Sequence, residues 1–124
     1  MIHRLLDSVI LIDHLNRIDK ASRFVRGLDP QKTAISVITR AEILVGIEQK
    51  EMDRVKALLN QYQLFAIDRS IADLGALLRK EHGWRLPDAF QAALAKHHHV
   101  KLVTRNTKDF DPKKHDFIEV PYII

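Results

Sequence analysis

The sequence predicts an α/β domain with a central, largely parallel β-sheet. Short apolar segments alternate along the chain with segments whose apolar residues recur at helical spacing. Strands that alternate with helices in this way are typical of parallel sheets with helical crossovers. The chain has 124 residues, the length of one domain, and its hydrophobic content of 46% is ordinary for a globular protein. We therefore expect residues 1–124 to form a single domain.

The strands are predicted from short apolar runs. Leu5 and Leu6 end the first strand, just before a polar pair. Further apolar runs predict four more strands, at residues 33–36, 64–67, 101–103 and 117–120.

Helices are predicted between these strands by apolar residues at helical spacing, at residues 9–15, 20–26, 37–47, 53–62 and 71–80, and in the segment DAFQAALAKH that begins at Asp88. The helix at 20–26 should stop at Gly27, with Asp29 and Pro30 in a loop. Ser36 is placed to cap the helix at 37–47. Pro87 suits a helix start, because the first turn of a helix does not need its N–H group.

Composition narrows the class of protein. The chain has no cysteine, which excludes disulfides and thiolate metal sites and fits a cytoplasmic protein. No apolar run approaches the roughly 20 residues that span a bilayer, so we expect no membrane partner. Asp7 and Asp13 interrupt the opening apolar stretch, which therefore reads poorly as a signal peptide.

Positive charge is concentrated in the second half of the chain. The net charge is +4, of which residues 79–114 carry +5 and the remainder −1. A concentrated positive segment suits a polyanion such as nucleic acid. A solvated surface would explain the same charges equally well.

Two acids stand near the predicted carboxyl ends of strands, where parallel sheets collect their active sites. Asp7 directly follows Leu5 and Leu6, and Asp109 follows the strand at 101–103 within TRNTKDF. Each has a structural alternative. Asp7 suits a cap for the next helix, and Asp109 suits a turn.

Two further acids lie on predicted helices. Glu42 shares a helical face with Ile38 and Val45, which we expect to point into the core; the alternative is an edge position from which it reaches water. Asp88 lies in the first turn of its helix, where the helix dipole favours an acid whatever its function. Carboxylates that converge must be protonated or neutralised by a cation. With oxygen ligands and no cysteine, that cation should be Mg²⁺ or Mn²⁺.

Three segments then resemble the PIN-domain family and, within it, the VapC-like toxins of toxin–antitoxin pairs: LLDSVILIDHL, AISVITRAEILVGI and LPDAFQAALAKHHHVKLVTRNTKDF. The resemblance implies a PIN-like three-layer α/β/α fold and a metal-dependent endoribonuclease. It implies that Asp7, Glu42 and Asp88 bind the metal and are catalytic together with Asp109. Ser8, Thr104 and Asn106 would support the site, and whether Asn106 or Asp109 completes it stays open.

One position departs from the family pattern. Relatives commonly continue the first motif with Asn, whereas this chain has Val9; Ser8 keeps the hydroxyl that precedes it. The resemblance also implies a homodimer, an RNA substrate such as transfer RNA or another structured RNA, inhibition of translation, and a cognate antitoxin. Phosphate contacts are expected from Arg85, Arg105 and Lys108.

Several conspicuous residues receive structural interpretations. The histidines at 97–99 end a helix, where such side chains complement the last carbonyl groups. Trp84 and Phe90 could stack on a base, but packing is the favoured interpretation. Asp13 is either a supporting acid or a surface residue. Three other functions remain open: a PIN protein that binds nucleic acid without cleaving it, a nuclease outside any toxin–antitoxin system, and a nuclease that acts on DNA.

Overall fold

Five parallel strands form one sheet in the computed structural model, which describes residues 1–124. In chain order the strands are β1 (Arg4–Leu6), β2 (Thr33–Ser36), β3 (Gln63–Phe65), β4 (Lys101–Val103) and β5 (Ile118–Glu119). Their spatial order is β3-β2-β1-β4-β5, so β1 lies at the centre. Every neighbouring pair is parallel, which confirms the predicted sheet.

Six α-helices connect the strands: α1 (Ser8–Leu15), α2 (Asp19–Arg26), α3 (Val37–Val45), α4 (Met52–Leu59), α5 (Arg69–His82) and α6 (Leu86–His98). Short 3₁₀ turns precede β2 and α4, at Pro30–Lys32 and Gln49–Glu51. None of the helices has the length and apolar character that crossing a bilayer requires.

Alternating strand residues separate two hydrophobic layers. Leu5 is fully buried in a cluster with residues of α5 and α6, whereas Leu6 is fully buried in a cluster with residues of α1 to α4. Successive side chains of a strand point to opposite faces of the sheet, so the two clusters lie on opposite faces. The chain therefore folds into helix, sheet and helix layers, and the predicted three-layer arrangement is confirmed.

Some predicted boundaries are wrong by a few residues. The loop predicted at Asp29 and Pro30 contains a 3₁₀ turn, because the Asp29 carboxylate accepts a hydrogen bond from the Gln31 N–H. Helix α3 ends before Gly46, short of the predicted residue 47, and α5 runs on to Gly83. Gly83 adopts a φ of 74°, which ends the helix in a conformation that glycine accepts most readily.

Helices α5 and α6 approach closely at Gly75, where a Cβ atom would lie 2.5 Å from Cδ1 of Phe90. We expect Gly75→Ala to lower the free energy of unfolding by about 1–2 kcal/mol, because the overlap outweighs alanine's gain in helix propensity. Urea denaturation measures the change. Gly46→Ala is the matched control, since its nearest contact would be an ordinary 3.7 Å. If Gly75→Ala is as stable as the wild type, the helices do not pack this closely.

Candidate active site

The site lies where the order of the sheet strands reverses. The chain runs outwards from β1 to β2 and β3, then crosses back to β4 on the other side of β1. Leu6 of β1 pairs with Val103 of β4. Asp7 and Thr104, the residues that follow this pair, therefore meet at the carboxyl edge of the sheet. Such a reversal opens a crevice in which α/β proteins bind their ligands.

Asp7 is buried, with 7% of its surface exposed, in a network of three donors. The Thr104 hydroxyl donates to Oδ2 at 2.8 Å, and the Ser8 N–H donates to Oδ1 at 2.9 Å. The amide of Gln91 donates to Oδ1 at a longer 3.4 Å. Burial nevertheless raises the pKa of Asp7 above its usual value, because these bonds only partly replace water. Asp7 also caps α1, so its structural alternative holds alongside a position in the site.

A cavity of about 450 Å³ opens beside Asp7 and brings most of the predicted residues together. Its walls include Asp7, Ser8, Glu42, Arg85, Asp88, Arg105, Asn106 and Lys108, with Val9 and Thr107 between them. Thr104 is fully buried behind Asp7. Asp109 does not line this cavity. The residue that departs from the family pattern, Val9, is the only hydrophobic residue in the wall.

Glu42 lines the cavity, but the prediction that it shares a core-facing side of the helix is wrong. Val45 is 87% exposed and Ile38 is half-buried, so the face they share with Glu42 does not point into the core. The core side of α3 is instead carried by Thr39 and Ile43. Glu42 lies at the open side of the helix. Desolvation and the neighbouring Asp7 raise the pKa of Glu42 above its usual value.

Asp88 projects from the first turn of α6, directly after Pro87, as predicted. Its pKa is raised to about 6, first by burial and then by repulsion from Asp7, with smaller contributions from Asp109 and Glu42. Arg85 lowers the pKa of Asp88, but the ion pair is a loose one. The Arg85 Nε lies 4.0 Å from Oδ2 of Asp88, and the arginine side chain is 84% exposed. Asp88 therefore interacts electrostatically with the three other predicted acids, and Arg85 offsets only part of the rise in its pKa.

Asn106 and Asp109, the two candidates for the fourth position of the site, lie differently relative to the cavity. Asn106 lines the cavity, and its Nδ2 donates to Oδ2 of Asp109 at 3.0 Å. A carboxylate can only accept hydrogen bonds, so this pairing fixes the side-chain oxygen of Asn106 on the other side of the amide. The neutral amide therefore lies in the cavity wall, and the acid is exposed outside the cavity.

An ion pair between buried Asp13 and partly exposed Arg105 lies at one edge of the cavity. Arg105 donates to both carboxylate oxygens of Asp13, through Nε at 2.6 Å and Nη2 at 2.9 Å. The Tyr122 hydroxyl adds a bond to Oδ2 at 2.8 Å. Asp13 is only 3% exposed, so the interpretation as a surface residue is wrong. The hydrogen bonds from Arg105 hold the pKa of Asp13 below its usual value. This pair holds the guanidinium of Arg105 at the cavity rim.

Removing the Tyr122 hydroxyl tests this network. We expect Tyr122→Phe to lower the free energy of unfolding by about 1 kcal/mol, the usual net value of one hydrogen bond, because Asp13 keeps its two bonds to Arg105. Thermal denaturation with a known enthalpy gives the value. Tyr62→Phe is a control, since no side-chain hydrogen bond is formed by that hydroxyl. An unchanged stability in both variants would mean that the Tyr122 bond contributes nothing.

Gln91 is the site residue that sequence reasoning missed. It is 1% exposed, and its Nε2 donates to Oγ1 of Thr39 at 2.6 Å as well as to Asp7. It lies three residues after Asp88 on α6, so the shared helical face was a usable signal. Its neighbours in sequence are mainly alanines and a leucine, so the segment has the pattern of an ordinary core helix.

The structural interpretations of the histidines and aromatic residues agree with the structure. His97 and His98 end α6, and His99 follows with a φ of 56°. Trp84 is buried and donates from Nε1 to the Asp109 carbonyl oxygen at 2.8 Å. Phe90 packs against Gly75. Neither aromatic ring is free to stack on a base from the acidic cavity.

The donor set fits a hard divalent cation held mainly through water. No three acidic or imidazole side chains converge closely enough to ligate one ion directly. Mg²⁺ seldom needs such a cage, because it keeps several waters and binds through one or two carboxylates. The acids repel one another, and the one buried side-chain atom without a hydrogen-bond partner, Oε1 of Gln91, belongs to a residue that contacts Asp7. Partly uncompensated negative charge and an unpaired oxygen atom both fit a hydrated cation at this site.

Fold and cavity together define an α/β protein with an acidic crevice at the reversal point of a parallel sheet. The PIN-domain family model matches residues 4–115. A chain of a toxin–antitoxin complex from Klebsiella pneumoniae is 35% identical, with a TM-score of 0.89 and coverage of 98% of this chain and 99% of that one. The chain belongs to the PIN-domain family.

More distant structures share the fold. A chain of FitAcB from Neisseria gonorrhoeae is 22% identical, with a TM-score of 0.78 and coverage of 95% of this chain and 97% of that one. A chain of DNA-bound VapBC from Salmonella typhimurium is 20% identical, with a TM-score of 0.76 and coverage of 90% and 92%. No curated protein sequence matches the chain. These two neighbours confirm the fold, whereas the predicted family resemblance is confirmed by the family model and the 35% identical chain.

Proposed function

We propose that this protein is a metal-dependent endoribonuclease and the toxin of a toxin–antitoxin pair. The observation that carries the proposal is the single cavity in which Asp7, Glu42 and Asp88 meet the basic residues Arg85 and Lys108. Acids that raise one another's pKa bind a cation readily, and basic residues at the same cavity attract a phosphodiester backbone.

The three acids would hold Mg²⁺ or Mn²⁺, with at most two of them bound directly and the rest through its waters. Such an ion, when bound, supplies an activated water and neutralises charge on the departing oxygen. The protein positions the ligands: Thr104 and the Ser8 N–H fix the two oxygens of Asp7. Asn106, oriented by Asp109, presents its side-chain oxygen as a neutral acceptor. In this proposal Asp109 acts on the site through Asn106.

The substrate would be gripped around the acids by three basic residues. Arg85 and Lys108 both line the cavity and are exposed, so both are available for phosphate. Arg105 uses Nε and Nη2 for Asp13 and keeps Nη1 free to donate. Its fixed guanidinium would hold one phosphate in register with the acids.

Cleavage of single-stranded and transfer RNA by the purified protein tests the enzymatic proposal. We expect cleavage with Mg²⁺ or Mn²⁺ and its loss in EDTA, since the acids alone cannot activate water while repelling one another. Re-addition of Mn²⁺ should restore activity. Cleavage that persists undiminished in EDTA would contradict the metal mechanism. Binding of RNA without cleavage under every metal condition would favour the non-catalytic alternative, and equal cleavage of single-stranded DNA would favour the general nuclease.

The toxin assignment rests on the relatives, because the 35% identical chain comes from a toxin–antitoxin complex. We propose a cognate antitoxin as partner, a homodimer as the assembled form and the cytoplasm as the place of action. Induced expression in a bacterium should arrest growth, and Asp88→Asn should abolish the arrest at equal protein level. Co-expression of the neighbouring antitoxin gene should restore growth. Normal growth on induction of the soluble wild type would contradict this assignment.

A further inference from the structure

An aromatic column runs from the core to the surface beside the acidic cavity. Phe110 is fully buried and contacts Trp84 at a centroid distance of 5.0 Å. Trp84 in turn stacks on His82 at 4.3 Å with an interplanar angle of 21°. The side chain of His82 is 32% exposed, so the column ends in a partly open imidazole. His115 flanks it edge-on, 5.2 Å from the rings of both His82 and Trp84.

The column is fixed in place by hydrogen bonds on both sides of Trp84. The Trp84 Nε1 donates to the Asp109 carbonyl oxygen at 2.8 Å, and Arg79 donates to the Trp84 carbonyl oxygen at 2.6 Å. Gly83 takes the left-handed turn that brings His82 back over Trp84. The fixed ring of Trp84 restrains His82, which stacks on it, so His82 loses little conformational entropy when a planar ligand binds.

A separate cavity of about 260 Å³ opens on these rings and adjoins the acidic cavity. Lys108 belongs to the walls of both cavities. The other charged residues of the smaller cavity are Lys114, Asp109 and Asp111, so its lysines and aspartates balance. Balanced charge together with planar rings suits an uncharged base.

We propose that His82 and His115 form a stacking subsite for one base of single-stranded RNA next to the cleaved phosphodiester. Lys108 would contact the phosphate between the two cavities, so the strand would run from the acids past Lys108 to His82. Every nucleobase presents a π-face, and aromatic stacking is a common means of holding unpaired bases. The inference rests on the proposed ribonuclease function and adds the path that the bound strand takes across the surface.

Fluorescence of 2-aminopurine tests the subsite, since stacking quenches it. The probe is a single-stranded RNA oligonucleotide with 2-aminopurine at one position at a time, bound in EDTA to prevent cleavage. We expect quenching at one position beside the cleavage site with the wild type. His82→Ala should remove the quenching and weaken binding by roughly tenfold, within the range for loss of one stacked base. His82→Phe should retain both, because it keeps a planar ring.

His3→Ala is the matched control. His3 is an exposed histidine that directly precedes β1 and lies outside both cavities. It should leave quenching and affinity unchanged. Two results would overturn the stacking subsite and leave the ribonuclease proposal standing. In the first, the wild type binds and cleaves RNA but quenches no position. In the second, His82→Ala binds RNA as tightly as the wild type. Absence of both RNA binding and cleavage by the folded wild type would overturn both.

Discussion

Asp7→Asn is expected to lower the rate of RNA cleavage by more than about a hundredfold without unfolding the protein. Loss of a residue that merely supports a metal ligand already costs 10–100-fold, and Asp7 is proposed as a ligand itself. The substitution removes a negative charge from the centre of the acid cluster while keeping an oxygen that can cap α1. Cleavage of a labelled RNA under single-turnover conditions measures the effect.

The stability of the same variant separates loss of chemistry from loss of fold. Burial is the main cause of the raised pKa of Asp7, so the charged carboxylate destabilises the metal-free protein at neutral pH. Asp7→Asn should therefore be at least as stable as the wild type in EDTA. Asp73→Asn, an exposed position on α5, should leave both activity and stability unchanged. An Asp7→Asn protein that cleaves normally would remove Asp7 from the site, and one that is inactive because it is unfolded would make its role structural.

Asp88 should make the metal-free protein less stable as the pH rises. Its pKa is about 6 in the folded protein, above the ordinary 3.8. Below pH 3.8 the carboxyl is protonated in both states and contributes nothing. Between that value and about 6 the unfolded chain releases the proton first, so stability falls as the pH rises and stays lower above about 6. Solvent in the half-open cavity screens the charge, and we expect a total loss of about 1–2 kcal/mol.

Comparison with Asp88→Asn isolates this contribution from other titrating groups. The pKa values of three histidines are lowered by burial, namely His14, His98 and His115, and these raise stability over part of the same pH range in both proteins. Urea denaturation from pH 4 to 7 in EDTA should show the variant gaining on the wild type as the pH rises. Saturating Mg²⁺ should reverse the difference at pH 7. A difference independent of pH would show that Asp88 has an ordinary pKa.

The fold was predictable because each strand and helix carries its own pattern. Leu5, Leu6 and the segment at 101–103 are short apolar runs that do not depend on partners for recognition. The edge strand β3 was predicted at 64–67 but lies at Gln63–Phe65, because its ends follow from pairing with Ala34 to Ser36 on β2. Register across a sheet is a tertiary property, and a local pattern does not contain it.

The acids that line the cavity were predictable, as was Thr104 behind Asp7, but Gln91 and the ion pair of Asp13 were not. Asp7 and Asp88 follow from strand ends, helix starts and family motifs. The partners of Asp13 lie 92 and 109 residues away, so no local pattern announces its ion pair with Arg105 or its bond from Tyr122. Glu42 was selected for a core-facing position that it does not have. Its helix leaves Val45 exposed, and sequence spacing alone does not say which side of an amphipathic helix a neighbour covers.

Binding of Mn²⁺ tests the central claim most directly, namely that Asp7, Glu42 and Asp88 together form a cation site. The electron paramagnetic resonance signal of free Mn²⁺, followed during titration at pH 7 without RNA, reports binding independently of cleavage. We predict saturable binding by the wild type, competition by Mg²⁺, and loss of binding in Asp7→Asn and Asp88→Asn but not in Asp73→Asn. Binding by the wild type no tighter than that of Asp7→Asn would contradict the claim.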